Sequence, residues 1–366
     1  MKTAMIDMQV SLSLIREYSN STLFYQMNDD LIYPISEEDC ELAESGHGDL
    51  CLKSFNRGAG ASVDVFVSLR QDCFGNCNVG DLAKALMWCI ECEVDLISLS
   101  MGTTLYHEAK IAYDIVKHAY TRGVTIVASA CNERILTYPA CFGYCIGVAI
   151  EKNESIPKAS FSYQENTFDG IDVIISPYTL CGDYLGSNSV ATAYFAGLLL
   201  RNVYPNKNVR KWLEDNSISF TLRNEYEYIR NYIFHSSSEN TIVIAVINPI
   251  ISEKLSDELK QIFLRRDYHC ISIVTAAGGI RENDFLTYEY VYNSNSVFSL
   301  FEYIQLITSL CHPDIILVNC YDYNSFCADV VVSDTVHSNI GCLEIIVSAN
   351  ISSPLEVADI ITDFFA

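Results

Sequence analysis

Short apolar runs alternate with amphipathic stretches along roughly the first 200 residues of this chain. The apolar runs are about four to eight residues long and rich in β-branched side chains, which is typical of buried strands. The stretches between them carry apolar residues at helical spacing, and Gly123 ends one of them as a left-handed helix cap does. The pattern predicts strands at 3–7, 62–69, 94–99, 124–129, 145–150 and 172–175, with helices at 80–93 and 105–122.

This alternation predicts an α/β fold with a mostly parallel sheet and helices on both of its faces. A polar, serine-rich segment at 236–240 interrupts the pattern and is predicted to link a first domain, 1–235, to a second, 241–366. The second domain is expected to be a small α/β module for dimerisation or for recognition of a substrate or partner. Its predicted strands are 241–247, 269–275, 314–320 and 343–348, and its predicted helices are 252–265, 297–311 and 354–365.

Composition limits where the chain works and what it binds. Half of the 366 residues are hydrophobic and 19% are charged, so large cores can be buried. The apolar runs fall well short of the roughly 18 residues that a membrane helix needs, and Asp7 interrupts the first of them where a signal peptide would continue. A cytoplasmic location without a membrane partner is expected. The formal charge of −23 also disfavours nucleic acid as a partner.

The fifteen cysteines are a high count. Cys89 and Cys92 have the spacing of a zinc-ligand pair, but they lie on a predicted amphipathic helix, where cysteine acts as a small apolar residue. We interpret the thiols as core residues and expect neither a metal nor a cofactor. Asp314, Asp322 and Asp329 in the second domain are not expected to form a metal site either.

Four polar residues lie at predicted strand ends or helix starts, where open parallel sheets place their sites. Asp7 ends the first strand, and Asn132 follows the strand at 124–129. His47 lies between two glycines ahead of a predicted short helical turn, and Ser189 begins a run of small residues that predicts a buried helix. An acid, an imidazole, a hydroxyl and an amide are the parts of an acyl-transfer site. A helix cap is the alternative role for Ser189.

The segments around these residues resemble the subtilisin-like serine peptidases over residues 3–215, in the order Asp, His, Asn, Ser. The matching segments are Ile6-Asp7, Gly46-His47-Gly48, 94–102, 123–133, Tyr138-Pro139-Ala140, 159–162 and 187–197. The resemblance implies a three-layer fold for the first domain, with a parallel sheet between two layers of helices. It also implies that the protein is a serine endopeptidase.

The resemblance assigns a role to each residue. Ser189 attacks the scissile carbonyl, and His47 takes its proton as a general base that Asp7 holds in place. The side chain of Asn132 stabilises the oxyanion. The substrate pairs with, or is enclosed by, Ser100, Met101, Gly102, Cys131, Glu133 and Thr137.

The chain departs from the family pattern beside several of these residues. Ser187 and Asn188 precede the nucleophile where the family has Gly-Thr, and Asp49 stands where the family has a second histidine. Cys131 replaces the glycine before the oxyanion asparagine and narrows the pocket wall. None of these changes removes a group from the catalytic cycle.

We therefore expect an enzyme specialised for few peptide substrates, for example one that removes a leader during peptide maturation. No propeptide is expected, because the first strand begins within three residues of Met1. Two alternatives stay open: a catalytically weak, peptide-binding regulator of the same fold, and a peptide ligase or cyclase.

Overall fold

A computed structural model describes residues 2–28, 31–35, 46–71, 77–104, 106–132, 135–151, 156–164, 170–179, 181–203, 208–218, 241–247, 249–266, 268–276, 289–293, 299–320, 326–334, 342–347 and 353–365. The chain forms two compact units, Met1–Thr221 and Leu222–Ala366. The linker predicted at 236–240 lies outside the described residues, so the proposed domain boundary stays a prediction.

The first unit is built on one large sheet. Its strands are β1 (Thr3–Asp7), β2 (Leu23–Asn28), β3 (Leu31–Pro34), β4 (Val65–Leu69), β5 (Leu96–Leu99), β6 (Thr125–Ser129), β7 (Ile146–Ile150), β8 (Phe161–Tyr163) and β9 (Val173–Ile175). They are ordered β3-β2-β4-β1-β5-β6-β7-β9-β8. The described neighbours are parallel except for the edge pairs, β2 with β3 and β8 with β9. The central strands β1, β4 and β5 are buried throughout, as parallel strands covered on both faces are.

Helices cover both faces of this sheet. They are α1 (Leu12–Tyr18), α2 (His47–Ala59), α3 (Val79–Glu91), α4 (Tyr106–Thr121), α5 (Asn188–Val203) and α6 (Val209–Asn216). Apolar side chains of α1, α2, α5 and α6 form one core with sheet residues such as Met5 and Val127. α3 and α4 pack on each other and on strands β1, β2, β4 and β6. No described residue of α3 or α4 belongs to the core that α1, α2, α5 and α6 form with the sheet. The predicted three-layer arrangement is confirmed, as is the helix cap at Gly123, which has a φ of +78°.

α2 and α5 approach each other through two glycines. A Cβ on Gly58 would lie 2.2 Å from a carbonyl oxygen of α5, and one on Gly197 would lie 2.3 Å from a carbonyl oxygen of α2. Glycine permits this close contact between the two helix backbones because it has no Cβ. The contact fixes α2, which begins at His47, beside α5, which begins at Asn188.

The helix after His47 is longer than the sequence predicts. A short turn was expected there, but α2 has 13 residues. Cys51, Leu52 and Phe55 are fully buried and give the helix a core-facing side. The prediction of a short turn is therefore wrong.

The second unit is a smaller α/β structure. Its described strands are β10 (Ile242–Ile247), β11 (Cys270–Ala276), β12 (Glu289–Asn293), β13 (Ile315–Cys320), β14 (Val330–Ser333) and β15 (Leu343–Ile346), and its described helices are α7 (Pro249–Arg265), α8 (Leu300–Cys311) and α9 (Pro354–Phe365). The strands pair in parallel in the order β12-β11-β13-β10-β14-β15. Side chains of α7 and α9 share one core with the sheet. The predicted small α/β module is confirmed.

Across both units, none of the helices in the described ranges has the length and apolar character needed to cross a membrane.

Candidate active site

The candidate residues lie at the carboxyl ends of three adjacent strands. Asp7 ends β1, Ser100 follows β5, and Ser129 ends β6 shortly before Asn132. β5 pairs with β1 on one side and with β6 on the other, so the three carboxyl ends share one edge of the sheet. Open parallel sheets place their sites at this edge.

Two glycines bring His47 against the end of β1. A Cβ on Gly46 would lie 2.2 Å from the carbonyl oxygen of Gln9, and one on Gly48 would lie 2.8 Å from that of Met8. The glycines therefore allow the start of α2 to lie directly on the chain that follows β1. This contact is the physical basis of the Gly-His-Gly motif.

A buried carboxylate, Asp7, holds the imidazole of His47. His47 Nδ1 lies 2.7 Å from Asp7 Oδ1, which also accepts a hydrogen bond from the Met8 N–H at 2.6 Å. The second oxygen, Oδ2, accepts a hydrogen bond from the Ser100 hydroxyl. The hydrogen bond to Asp7, helped by the negative charge of that carboxylate, raises the pKa of His47 above its usual value, although burial acts in the opposite direction.

Cys51 lies next to this pair. Its Sγ is 3.8 Å from His47 Nδ1 and is fully buried. Burial, and secondarily the charge of Asp7, raises the pKa of the thiol well above its usual range. The ligand atoms of Asp7, His47 and Cys51 lie within 4.8 Å of one another. We interpret Cys51 as a packing residue under the imidazole.

The hydroxyl of Ser189, the predicted nucleophile, is hydrogen-bonded to Ser100. Ser189 is buried in the first turn of α5, and its Oγ donates to the Ser100 carbonyl oxygen at 2.9 Å. Within the described part of the chain, no hydrogen bond joins Ser189 Oγ to His47. Ser100 thus contacts Asp7 through its hydroxyl and Ser189 through its carbonyl group. The sequence predicts only a role in substrate binding for this residue.

The helix-cap role falls to a different serine. Ser187 immediately precedes α5, and its Oγ accepts a hydrogen bond from the Val190 N–H at 3.3 Å. The hydroxyl of Ser189 is engaged with Ser100 instead. The alternative in which Ser189 caps α5 is therefore wrong.

Asn188, one of the departures from the family pattern, ties α5 to the loop after β6. Its backbone N–H donates to Asn132 Oδ1 at 3.1 Å, so the NH₂ of the Asn132 amide points away from this bond. The Asn188 side chain donates to the carbonyl oxygens of Ala130 and Cys131 and accepts from the Ile150 N–H, at 3.2, 3.0 and 2.9 Å. These four hydrogen bonds orient the predicted oxyanion donor relative to Ser189.

A cleft of about 580 Å³ lies beside Ser189 and Asn132. Its lining includes Ser189 and Asn132 together with the predicted substrate-binding residues Ser100, Met101, Gly102, Cys131 and Thr137. Glu133, the remaining predicted pocket residue, lies outside the described residues. The structure therefore brings the predicted nucleophile, the predicted oxyanion donor and five predicted binding residues to one cavity.

Backbone contacts tie the walls of the cleft together. Thr137 Oγ1 accepts a hydrogen bond from the Cys131 N–H at 2.8 Å. Thr103 and Tyr138 exchange backbone hydrogen bonds at 2.9 and 2.8 Å, and a Cβ on Gly102 would lie 2.4 Å from the Tyr138 carbonyl oxygen. These contacts hold the segment after β5 against the segment after β6.

Comparisons with known proteins fit this architecture. No family model matches the chain. A stretch of 108 residues is 30% identical to the minor extracellular protease Epr of Bacillus subtilis (strain 168) and covers 29% of this chain. The match spans 16% of the relative, well under two thirds of its length.

Similar solved structures include a lanthipeptide protease, at a TM-score of 0.41 and 14% identity over 58% of this chain and 78% of that one. The nisin leader peptidase NisP of Lactococcus lactis has a TM-score of 0.39 and 14% identity over 60% and 83%. The epidermin leader peptide processing protease EpiP of Staphylococcus aureus has a TM-score of 0.40 and 13% identity over 66% and 70%. At these values the likeness carries no information on activity.

The mostly parallel sheet has a buried carboxylate and a half-buried imidazole at the carboxyl end of a central strand, and a serine in the first turn of α5 is hydrogen-bonded to the segment after the neighbouring strand. This arrangement defines an α/β protein with a serine protease fold. The order of the motifs along the chain and the match to Epr identify that fold as the subtilisin-like one. The resemblance to the subtilisin-like serine peptidases is thereby confirmed.

Proposed function

We propose that the protein is a serine endopeptidase that cleaves specific peptides through an acyl-enzyme. Ser189 is the nucleophile, His47 the general base and Asp7 the acid that orients the base. The observation that carries the proposal is the buried Asp7 carboxylate. One of its oxygens is hydrogen-bonded to His47 Nδ1, and the other accepts a hydrogen bond from the Ser100 hydroxyl. The carbonyl oxygen of Ser100 in turn accepts a hydrogen bond from the Ser189 hydroxyl.

The hydrogen bond between His47 and Asp7 selects the reactive tautomer. Because Asp7 is an acceptor, the proton of the neutral imidazole resides on Nδ1, and Nε2 is left to accept a proton from Ser189. The Ser189 hydroxyl must first leave the Ser100 carbonyl oxygen. A substrate that pairs as a strand with residues 100–102 offers its own N–H to that oxygen and takes the place of the hydroxyl.

The reaction then follows two steps. Ser189 Oγ forms a bond to the scissile carbonyl carbon while its proton moves to His47 Nε2, and the carbonyl oxygen becomes an oxyanion. The Asn132 amide and the Ser189 N–H at the start of α5 stabilise that charge. The C–N bond breaks as the amine takes the proton from His47, and water then releases the acyl group by the same route.

The shape of the cleft supports a narrow substrate range. Cys131 brings a side chain to the wall, and its backbone is fixed by Thr137, so the wall cannot easily move aside. Such a cleft fits a peptide-maturation role, such as removal of a leader, better than general digestion. We further propose that the enzyme acts in the cytoplasm and that the second unit recognises the substrate or a partner, or forms a homodimer.

Digestion of a diverse peptide pool by the purified full chain tests this function. We expect cleavage of few peptides, each product pair heavier than its parent by one water, and little digestion of casein. Products without the added water would identify a ligase or cyclase instead. Broad digestion of casein would contradict the specialised role, and a complete lack of peptide turnover would contradict the enzyme.

A peptide-binding regulator is the second candidate. It is favoured by the hydrogen bond from Ser189 to the Ser100 carbonyl oxygen, which engages the hydroxyl away from His47. Catalytic hydrogen bonds often tighten only when substrate is bound, so the two functions are separated by assays with a bound peptide. A regulator would bind peptides equally well before and after Ser189→Ala and would leave a fluorophosphonate probe unreacted.

Replacing Asn188 by threonine is expected to lower kcat by about 10- to 100-fold with a smaller change in KM. The change removes the amide that fixes the backbone of Ala130 and Cys131, so the Asn132 donor loses its alignment with the oxyanion. Steady-state kinetics on a cleaved peptide measure the effect. Asn202→Thr, on the exposed side of the same helix, is the matched control. A rise in KM alone would show that Asn188 serves substrate binding instead.

A further inference from the structure

An acidic side chain, Glu108, lines the same cleft as Ser189. It lies in the first turn of α4, where the helix dipole favours a negative charge. Its Oε2 accepts a hydrogen bond from the Thr103 hydroxyl, and Thr103 is fixed by backbone pairing with Tyr138. The carboxylate is therefore held in place at the cleft.

The charge of Glu108 has no counterpart in the described lining. Of the described residues that border the cleft, it is the one charged side chain, and lysine, arginine and histidine are missing from that set. A carboxylate offers about four acceptor positions, and the described contacts of Glu108 use one of them. The remaining positions suit a cationic donor that enters with the substrate.

The surroundings of Glu108 suit a long cationic side chain. Met101 and Leu82 border the same cleft and offer apolar surface to an aliphatic stem. A guanidinium can bind a carboxylate with two parallel hydrogen bonds, and an ammonium with one. The net charge of −23 attracts cationic peptides too, but salt screens that field within about 8–10 Å, so it cannot select one substrate position.

We propose that Glu108 is a specificity-determining residue that selects peptides with an arginine or lysine at one fixed position relative to the cleaved bond. The proposal rests on the proposed peptidase function, because it assigns the substrate class of the same cleft. Arginine is preferred over lysine, since only its fork can engage the carboxylate through two hydrogen bonds.

Paired peptides test the proposal. One peptide of each pair carries arginine and the other carries citrulline, its neutral isostere, and the pair is moved through successive positions around the cleaved bond. We expect one position at which arginine raises kcat/KM about 10- to 100-fold over citrulline. Glu108→Gln should bring that ratio close to one, because glutamine still accepts the Thr103 hydroxyl but carries no charge.

Asp114→Asn is the matched control, since it removes the same charge from an exposed position of α4 outside the cleft. We expect it to keep the wild-type ratio. The proposal is overturned if no position prefers arginine, or if Glu108→Gln leaves the ratio as large as in the wild type.

Binding measurements distinguish a failure of this proposal from a failure of the proposed peptidase function. In a Ser189→Ala background, fluorescence anisotropy measures the affinity for the same arginine and citrulline peptides without turnover. If the wild type cleaves nothing but the affinity ratio is large and depends on Glu108, the charge selectivity stands and the peptidase function fails. If peptides are cleaved and neither ratio depends on Glu108, the peptidase function stands and this proposal fails.

Discussion

Ser189→Ala is expected to lower kcat for peptide cleavage roughly 10⁶-fold, a figure carried over from a subtilisin. The variant keeps Asn132 and the start of α5 but has no oxygen that can form the acyl-enzyme. A residual rate of about 10³- to 10⁴-fold over water is expected, because binding and oxyanion stabilisation remain. Peptide cleavage assays give the loss in rate, and intact mass after a fluorophosphonate probe reports the nucleophile directly.

The fold is expected to survive this change. The alanine loses the hydrogen bond to the Ser100 carbonyl oxygen, which contributes about 1 kcal/mol, and leaves the packing of α5 intact. Ser187→Ala is the control, because it removes the helix cap beside the nucleophile and should cost about 1 kcal/mol of stability while probe labelling persists. Labelling of the Ser189→Ala variant, or cleavage at the wild-type rate, would contradict the assignment of the nucleophile.

The sequence predicts well those features of the fold and the site that depend on residues close together in the chain. The central strands are short and mostly buried apolar runs, and the polar residues that the site needs lie at or just after their carboxyl ends. The glycines beside His47 are part of a recognisable motif, and the structure shows that they permit a close backbone approach. These features follow from neighbouring residues, so one sequence reveals them.

Elements with a mixed polarity pattern were harder to predict. The edge hairpin of β2 and β3 exposes Leu23 and Leu31, so it lacks the continuous apolar run of a central strand. The buried side of α2 includes Asp49 as well as glycines and a serine, which weakens its helical apolar pattern. Asp49 is buried because its two oxygens accept the N–H and the hydroxyl of Ser11, at 2.8 and 2.6 Å. A polar residue satisfied in this way looks like a surface residue in the sequence.

The supporting contacts of the site were missed because they join distant parts of the chain. The Ser100 hydroxyl binds a carboxylate 93 residues away, and the Asn188 N–H binds Asn132 across 56 residues. The sequence marks both residues, one as part of a substrate-binding turn and the other as a departure from a family motif. Their hydrogen-bond partners become known only when the strands are assembled.

Asp7→Asn is expected to lower kcat about 10⁴-fold at neutral pH, as the same substitution does in another serine protease. An asparagine amide can donate to Nδ1 of His47, which stabilises the tautomer with its proton on Nε2. That tautomer cannot accept the proton of Ser189. The imidazole would therefore remain in place without acting as a base. Rates at saturating peptide measure the effect.

The pH profile provides a second readout for the same variant. His47 acts as a base only when neutral, so kcat/KM of the wild type should rise with pH and reach half of its plateau above the usual histidine pKa of about 6.5. In Asp7→Asn the raising effects of the hydrogen bond and the charge are lost, while burial, which lowers the pKa, persists. The midpoint should therefore move to lower pH than in the wild type.

Asp64→Asn is the control that distinguishes a general loss of stability from an effect on His47. Asp64 Oδ2 accepts hydrogen bonds from the N–H and the hydroxyl of Thr3, at the opposite end of β1, at 2.7 and 2.8 Å. Loss of this carboxylate should lower the stability of the fold without moving the midpoint of the pH profile. The raised pKa of His47 also stabilises the folded state below the unfolded pKa, and this contribution disappears as pH rises through the folded pKa. Thermal unfolding should show that dependence in the wild type and in Asp64→Asn, and little of it in Asp7→Asn. An unchanged midpoint in Asp7→Asn would mean that the titrating base is not held by this carboxylate.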